Sequence, residues 1–270
     1  MPQKDEERGM KLGNDVSAVV TGGASGLGAA TATTLAAKGV KVGVLDLDKQ
    51  VGARIAKEVG ATFTECDVTS EPSVEAALAA VRKAQGQERI LVNCAGIAVG
   101  KRIARRIKET GAIEPHDLAT FVKAIEVNLV GTFLMVSKCA AGMLTLDPLP
   151  PDAERGVMIM TSSVAAQDGQ MGQVAYAASK GGVAAMTLPV ARDLARDGIR
   201  VCSILPGLFR TPMFASLPEE SRKSLEAAIP FPSRLGDPAE YAMLAMHICE
   251  NVMLNGVCLR LDGAIRLAAK

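Results

Sequence analysis

Seven short segments of apolar, largely β-branched residues recur along the chain. They are Ser17–Thr21, Lys41–Asp46, Thr62–Asp67, Ile90–Ala95, Val157–Ser162, Arg200–Leu205 and Val257–Leu261. Each is nearly continuously apolar rather than alternating, as expected for strands of a parallel sheet that is covered on both faces. Longer segments with helical spacing lie between them. This alternation predicts a doubly wound α/β fold of about seven parallel strands with helices on both faces.

The predicted helices separate these strands. The clearest are Leu27–Lys38, Val74–Ala84, Asp117–Leu144 and Tyr176–Arg196. With 270 residues, 49% of them hydrophobic, the chain is long enough for one domain with an extensive core. Because no Ser/Pro/Gly-rich linker divides it, we predict a single domain over residues 1–270, in which residues 1–13 are a flexible lead-in to the first strand.

A glycine-rich loop follows the first predicted strand and runs directly into a helix. Its glycines are Gly22, Gly26 and Gly28, spaced G-x-x-x-G-x-G rather than the usual G-x-G-x-x-G. Glycines permit a tight turn and let the backbone approach a pyrophosphate, while the helix N-terminus supplies free N–H groups. In this position the loop predicts a Rossmann-like dinucleotide-binding fold.

An acidic residue at the end of the second strand indicates which dinucleotide is bound. Asp46 lies eighteen residues after Gly28. A carboxylate there accepts hydrogen bonds from the adenosine ribose and repels a 2′-phosphate. Neither Ser25 nor Leu47 offers a cation to such a phosphate, so we predict NAD rather than NADP. The alternative is that Asp46 is only a turn residue at a strand end.

One tyrosine and one lysine are placed for proton transfer. Tyr176 and Lys180 are four residues apart, on the same face of the last predicted helix, and Ser163 precedes Tyr176 by thirteen residues. A fixed cation favours the phenolate and lowers the tyrosine pKa, and the serine hydroxyl can hold a substrate oxygen. Such pairs also occur on solvated helix faces, but here the glycine loop and Asp46 favour the catalytic interpretation.

Composition excludes several classes of function. A net charge of +1 gives no general attraction to nucleic acid or to an anionic membrane, and no transmembrane helix is predicted. The two histidines and six cysteines form no metal-like cluster, so no metal is expected. The charged N-terminus does not suit a signal or transit peptide. We therefore expect reduced thiols and a cytoplasmic protein that is not secreted, with the mitochondrial matrix as an alternative.

Two segments interrupt the regular pattern. Residues 100–115 carry a basic cluster, interpreted either as a solvated helix face or as a site for coenzyme A phosphates; its members are Lys101, Arg102, Arg105, Arg106 and Lys108. Residues 208–232 are long, irregular and rich in proline, which predicts a substrate lid. The lid residues expected to meet an apolar substrate are Leu208, Met213, Phe214 and Leu217.

These motifs together resemble the short-chain dehydrogenase/reductase family over essentially the whole chain. Asn93-Cys94-Ala95-Gly96 is similar to the family's N-N-A-G motif, with Cys94 as a departure. Asn128 matches its helix asparagine, and Pro206-Gly207 matches its turn after the sixth strand. Longer stretches, among them residues 230–241 and 259–266, resemble the type II 3-hydroxyacyl-CoA dehydrogenases, also called type 10 17β-hydroxysteroid dehydrogenases.

The resemblance implies an activity, an assembly and a set of site residues. It implies oxidation of L-3-hydroxyacyl-CoA to 3-ketoacyl-CoA with NAD, in a homotetramer that often also accepts hydroxysteroids. The implied catalytic residues are Ser163, Tyr176, Lys180 and Asn128, and Gln170 matches a position near the substrate together with Ser163 and Tyr176. The implied NAD-binding residues are Gly22, Ser25, Gly26, Leu27, Gly28, Asp46, Asp67, Val68, Cys94, Gly96, Tyr176, Lys180, Phe209 and Thr211.

The hypothesis gives each catalytic residue a role. Tyr176, as phenolate, removes the hydroxyl proton while the hydride leaves the same carbon. Lys180 lowers the pKa of the tyrosine and hydrogen-bonds the nicotinamide ribose, and Ser163 stabilises the developing carbonyl oxygen. Asn128 holds a water that relays the proton outward. For Asp67 the alternative is a role at the start of a helix, for Ser163 a strand-end cap, and for Asn128 an ordinary polar helix position.

Other functions remain open from the sequence. On the same scaffold the alternatives are a hydroxysteroid dehydrogenase and a 3-ketoacyl carrier-protein reductase; Asp46 argues against the second, which usually takes NADPH. From another class comes a non-catalytic cofactor-binding scaffold whose basic segment contacts RNA or a partner protein. The intact Ser163, Tyr176 and Lys180 argue against this last reading, because a binding module does not need them.

Overall fold

The computed structural model describes residues 9–215 and 219–269. Predictions on residues 1–8, and on Leu217 and Pro218 of the lid segment, lie outside the described residues. The strands are β1 Ser17–Thr21, β2 Lys41–Asp46, β3 Thr62–Glu65, β4 Ile90–Asn93, β5 Ala104–Arg106, β6 Ile113–Pro115, β7 Gly156–Thr161, β8 Ile199–Pro206 and β9 Cys258–Leu261. The α-helices are α1 Gly26–Ala37, α2 Lys49–Val59, α3 Glu71–Gln85, α4 Leu118–Ile125, α5 Gly131–Met143, α6 Val174–Leu194, α7 Pro212–Ala215, α8 Glu219–Ala227 and α9 Pro238–Glu250.

Seven of the strands form one parallel sheet. Their order is β3–β2–β1–β4–β7–β8–β9. The chain proceeds outward from β1 to β3, then returns to place β4 against the other side of β1. Ligands of open α/β sheets bind outside the carboxyl ends of the strands at such a reversal. Thr21 ends β1 opposite Leu45 and Asn93, so the segments after β1 and β4 meet at that edge.

The sheet has an apolar layer on each face, which explains why the strands are continuously apolar. Successive side chains point to opposite faces of a strand. Val20 packs in the layer that holds α1 and α9, whereas its neighbour Val19 packs in the layer that holds α3, α5 and α6. Both side chains are fully buried. The predicted doubly wound parallel sheet is therefore confirmed.

Several local elements differ from the sequence prediction. The predicted helix over residues 117–144 is interrupted by a π-helical turn at Glu126–Val130, between α4 and α5. The basic segment forms the β5–β6 hairpin rather than a helix face, so that interpretation is wrong. The lid segment, expected to be irregular, contains α7 and α8.

One helical segment, Leu118–Met143, has the length and hydropathy of a membrane span. A test of length and composition alone does not decide the prediction that no transmembrane helix is present. The segment packs its buried face on the sheet through residues such as Met135 and Cys139. A core helix of a water-soluble domain passes the same test of length and composition, so the segment is weak evidence for a membrane.

Candidate active site

A cavity of about 630 Å³ opens at the carboxyl end of the sheet. All of the residues that the family resemblance implies for binding cofactor and substrate line it. On the cofactor side these are Gly22, Ser25, Gly26, Leu27, Gly28, Asp46, Asp67, Val68, Cys94, Gly96, Phe209 and Thr211, and beside them lie Ser163, Gln170, Tyr176 and Lys180. Of the predicted catalytic residues, Asn128 alone lies behind the cavity wall. Placement in one cavity does not assign the roles, which remain predictions.

The glycine loop forms a close-fitting turn between β1 and α1. Gly22 has a positive φ of 63°, and a Cβ there would lie 2.7 Å from the backbone nitrogen of Ala95. A Cβ at Gly28 would overlap the carbonyl oxygen of Gly22. The side chain of Ser25, the N-cap residue of α1, makes no capping hydrogen bond. The cavity is therefore lined by bare backbone at a helix N-terminus, which suits a dinucleotide pyrophosphate.

Asp46 is held in place by the same loop. Its Oδ2 accepts a hydrogen bond from the backbone nitrogen of Ala24 at 3.0 Å, and its Oδ1 accepts one from the backbone nitrogen of Asp48 at 3.1 Å. The carboxylate therefore has a fixed position at the cavity rim. The bond from Asp48 also makes Asp46 a turn residue at the strand end, which is the alternative role that the sequence left open. Leu47, the next residue, is exposed and apolar.

Asp67 lies in a turn after β3, which ends at Glu65 rather than at Asp67 as predicted. Its Oδ1 accepts hydrogen bonds from the backbone nitrogen and the hydroxyl of Thr69, and these bonds lower the pKa of the Asp67 carboxyl. The alternative role for Asp67 at the start of a helix is wrong, because Ser70 caps α3.

Ser163 and Tyr176 are in direct contact. The Ser163 hydroxyl accepts a hydrogen bond from the backbone nitrogen of Ala165 at 3.1 Å, so it caps the turn after β7, and it also hydrogen-bonds the Tyr176 phenol. Burial raises the pKa of Tyr176, and the bond from Ser163 opposes this rise. The phenol therefore carries its proton at neutral pH and can donate it to an oxygen in the cavity.

Lys180 faces the end of β7. Its Nζ donates a hydrogen bond to the carbonyl oxygen of Thr161 at 2.8 Å, and burial lowers the pKa of the ammonium to about 8. Burial and the hydrogen bond from Ser163 are the two causes that act on the pKa of the Tyr176 phenol, and the net direction is upward. The predicted lowering of that pKa by Lys180 remains a prediction.

Asn128 holds two parts of the site together. It is fully buried in the π-helical turn, where its amide oxygen accepts a hydrogen bond from the nitrogen of Ile97 at 2.8 Å. Its amide nitrogen donates to the carbonyl oxygen of Ile97 at 2.9 Å and to the hydroxyl of Ser179 at 3.0 Å. It thus fixes the chain after β4 to the residue that precedes Lys180. The predicted water relay remains a prediction.

Known proteins resemble this chain in sequence and in fold. Residues 17–222 match the family described as short chain dehydrogenase. The chain belongs to the short-chain dehydrogenase family. It is therefore an oxidoreductase that uses a nicotinamide cofactor, and the bare glycine loop described above fits one.

Relatives of this short-chain dehydrogenase share most of its length. The chain is 50% identical over 252 residues to 3-hydroxyacyl-CoA dehydrogenase type-2 of Homo sapiens, which covers 93% of this chain and 95% of that protein. It is 48% identical to the protein of the same name from Drosophila melanogaster, over 92% of this chain and 96% of that one. The crystal structure of 3-hydroxyacyl-CoA dehydrogenase type-2 from Mycobacterium avium superimposes with a TM-score of 0.89 at 41% identity, over 97% of this chain and 100% of that one.

Two residues of this short-chain dehydrogenase had no predicted role. The Thr161 carbonyl holds Lys180, and the Thr161 hydroxyl lies 2.7 Å from the phenol oxygen of Tyr241, which is fully buried on α9. The thiol of Cys94 lies 3.8 Å from the same phenol. Tyr241 is one of only two tyrosines in the chain, and a polar aromatic residue in so aliphatic a core was the one available signal.

The basic segment lies at the cavity rim of the dehydrogenase. Gly100 lines the cavity, and the backbone nitrogen of Lys101 donates to the carbonyl oxygen of Gly172, just before α6. Acidic side chains balance part of its charge: Lys101 pairs with Asp117 at 2.6 Å, and Arg105 pairs with Glu114 at 2.7 Å. The chain that leads into the hairpin therefore starts at the cavity wall, and ion pairs offset part of the positive charge that follows.

The lid segment contributes apolar side chains to the same cavity. Leu208, Met213 and Phe214 line it, as predicted, and Leu225 of α8 joins them.

The cysteines also agree with the sequence, since all six are free. Among the described residues no His, Cys, Asp or Glu cluster suits a metal ion.

Proposed function

We propose that this enzyme interconverts L-3-hydroxyacyl-CoA and 3-ketoacyl-CoA with NAD(H). The observation that supports it most is one cavity that joins the Ser163–Tyr176 contact and Lys180 to a bare glycine loop. The relatives named 3-hydroxyacyl-CoA dehydrogenase type-2 support the substrate class, since they match nearly the whole chain. The apolar lid side chains and the cations of the hairpin suit the two ends of an acyl-CoA.

The protonation states of the site at neutral pH are those that ketone reduction requires. At neutral pH the Tyr176 phenol and the Lys180 ammonium both hold protons, because burial raises the pKa of the first and leaves that of the second at about 8. Ser163 holds the carbonyl oxygen and Tyr176 donates a proton to it. The phenolate that results lies one helical turn from the ammonium of Lys180, which stabilises it.

Dehydrogenation uses the same groups in reverse. The phenolate of Tyr176 accepts the hydroxyl proton while Ser163 keeps the oxygen in place. When bound, the nicotinamide accepts or supplies the hydride. Asp46 and Leu47 support NAD over NADP, because a 2′-phosphate at this rim would meet a fixed carboxylate and an apolar side chain.

Initial rates with a matrix of cofactors and ketones test this function. We expect NADH to support reduction of acetoacetyl-CoA and longer 3-ketoacyl-CoAs at rates at least about tenfold above those with NADPH, since each ~1.4 kcal/mol of repulsion at Asp46 gives a factor of ten. A 17-ketosteroid should be a slower substrate than the acyl-CoAs. The measurement is kcat/KM from absorbance of the reduced cofactor.

Each contrary result identifies a different alternative. Equal or better use of NADPH would contradict the role of Asp46. A faster steroid reaction would favour a hydroxysteroid dehydrogenase, and reduction confined to carrier-protein thioesters would favour a carrier-protein reductase. Cofactor binding without turnover on any ketone would favour the non-catalytic scaffold.

Charge reversal on the hairpin tests whether it binds coenzyme A. We expect the double variant Arg105→Glu/Arg106→Glu to raise KM for acetoacetyl-CoA about tenfold and to leave KM for a small 3-keto ester nearly unchanged, because only the thioester carries phosphates. Arg54→Glu/Lys57→Glu is the matched control, since it makes the same change in charge at two exposed positions of α2, outside the basic segment. An equal effect of the double variant on both substrates would argue against a phosphate contact.

We also propose a homotetramer without a membrane partner. Apolar side chains are exposed at Val122 on α4, at Val130 in the π-helical turn and at Phe133 on α5, and others lie on and after α9 at Met243 and Met253. Two separate apolar faces suit two kinds of subunit contact. The six free cysteines suit a reducing compartment, either the cytoplasm or the mitochondrial matrix.

A further inference from the structure

Arg260 joins two segments that are distant in sequence. It lies on β9, and its side chain is 17% exposed. One side of the guanidinium reaches the loop before α6: Nη1 donates to Gln167 at 2.7 Å and Nη2 to Asp168 at 2.6 Å. The other side holds the chain after β9, through Nε to Asp262 at 2.8 Å and Nη2 to the carbonyl oxygen of Ile265 at 2.9 Å. We name these residues the Arg260 cluster.

The same two segments make further contacts beyond the Arg260 cluster. The side-chain amide nitrogen of Gln170 donates to the carbonyl oxygen of Ala268 at 3.0 Å, and the backbone nitrogen of Met171 donates to the carbonyl oxygen of Ala269 at 3.1 Å. Gln170 and Leu267 both line the cavity. The C-terminal segment 265–269 and the loop 167–173 therefore form one continuous part of the cavity wall.

We propose that Arg260 is the positioning residue of this wall and that Leu267 is a specificity-determining contact for the acyl chain. The substrate assignment rests on the proposed function. Arginine suits the position because its planar guanidinium donates to the loop and to the C-terminal segment at once, whereas a lysine ammonium is a single point of charge. The loop ends at α6, so its placement also sets the approach of substrate to Tyr176. Arg260 touches no reacting atom and acts through Gln167, Asp168 and Ile265.

Removal of the guanidinium should separate substrate binding from cofactor binding. For Arg260→Met we expect KM for 3-ketoacyl-CoAs to rise about tenfold, with KM for NADH within about twofold of wild type, since loss of ordering in the wall weakens only contacts with substrate. The KM of Arg260→Lys for 3-ketoacyl-CoAs should lie between that of wild type and that of Arg260→Met. Arg266→Met is the matched control: Arg266 is 64% exposed and bonds Asp262 and Ile265, but not Gln167 or Asp168.

Hydrogen exchange provides a readout that needs no substrate. In the intact protein, Arg260→Met should speed exchange of the Met171 amide at least about tenfold, because that amide is protected by Ala269 across the joined segments. Asp168→Asn removes the same ion pair from the loop side and gives a second variant if Arg260→Met does not fold. It should also speed exchange of the Met171 amide. The double variant Arg260→Met/Asp168→Asn should exchange at nearly the same rate as either single variant, because both changes remove the same ion pair.

Substitution of Leu267 tests the specificity contact. With 3-ketoacyl-CoAs of four to sixteen carbons, we expect Leu267→Ala to move the best kcat/KM toward longer chains and Leu267→Phe toward shorter ones. An unchanged chain-length profile in both would overturn the role of Leu267. Unaltered Met171 exchange in Arg260→Met, or an equal rise of KM for NADH and ketoacyl-CoA, would overturn that of Arg260. If wild type reduces no acyl-CoA, the proposed function fails while Met171 exchange still reports on Arg260.

Discussion

Tyr176→Phe should lower kcat for ketone reduction by at least about 10²–10⁴-fold, the usual contribution of a positioned proton-transfer group. The change deletes one oxygen, which hydrogen-bonds Ser163 in a buried part of the cavity. Phenylalanine keeps the ring and its packing, so the fold and NADH affinity should be retained. Because the proton is transferred in the transition state, kcat and kcat/KM should fall together. Steady-state rates and NADH titration measure both effects.

The second tyrosine provides a control of identical chemistry. Tyr241 is also buried and also bonds a hydroxyl, that of Thr161, but it does not line the cavity. Tyr241→Phe should therefore keep its rate within about tenfold of wild type, the effect of one neutral hydrogen bond acting through Thr161. Near-normal turnover in Tyr176→Phe, or equal losses in the two variants, would rule out Tyr176 as the proton donor.

Local sequence patterns predicted the sheet because each strand carries its own signal. A buried parallel strand must be apolar on both faces, and neighbours such as Val19 and Val20 satisfy that requirement without reference to the rest of the chain. The glycine loop and Asp46 could be placed for a similar reason. Their roles follow from backbone geometry and charge at the ends of two adjacent strands.

The errors arise where a long-range contact decides the local structure. The basic segment has a charge pattern that suits a helix face, yet Arg105 pairs with Glu114 across the hairpin and Lys101 pairs with Asp117. The break in the predicted helix around Asn128 has the same kind of cause, because the amide of that residue bonds Ile97 after β4. Helical periodicity contains no information about either partner.

The protonation chemistry of the site was harder to predict than which residues form it. Spacing placed Tyr176 and Lys180 on one helical face, but their pKa values depend on how far each is removed from water. Burial moves the pKa of Tyr176 upward and that of Lys180 downward, against the direction that charge attraction alone predicts. The Arg260 cluster could not be predicted from local patterns either, because it joins residues 167 and 168 to residues 260–265, which are distant in sequence.

Lys180→Met should lower kcat by about 10²-fold or more, since the phenolate formed by proton donation loses the cation that stabilises it. Methionine fills the same buried space without a charge. The reduction should also lose its response to acid and base near pH 8, where the ammonium of wild type titrates because burial lowers the pKa of Lys180. A variant with an unchanged kcat would contradict any catalytic part for this lysine.

The same substitution should reveal the free energy of burying the ammonium. In wild type the pKa of Lys180 is lowered from 10.5 to about 8. Between these values the unfolded chain binds more protons than the folded one, so the free energy of unfolding of wild type rises with pH. Relative to Lys180→Met, that rise should total roughly 3 kcal/mol from pH 8 to pH 10.5, at ~1.4 kcal/mol per pH unit, with a constant difference below pH 8.

Urea unfolding of the two proteins across this pH range measures the difference directly. Lys57→Met, on the exposed face of α2, controls for the loss of one positive charge, and its free energy of unfolding should follow that of wild type in parallel. A parallel course for Lys180→Met as well would show that the ammonium of Lys180 is not desolvated. The expected divergence would show that the fold keeps a charged group at the site at the expense of stability below pH 8, as functional residues often require.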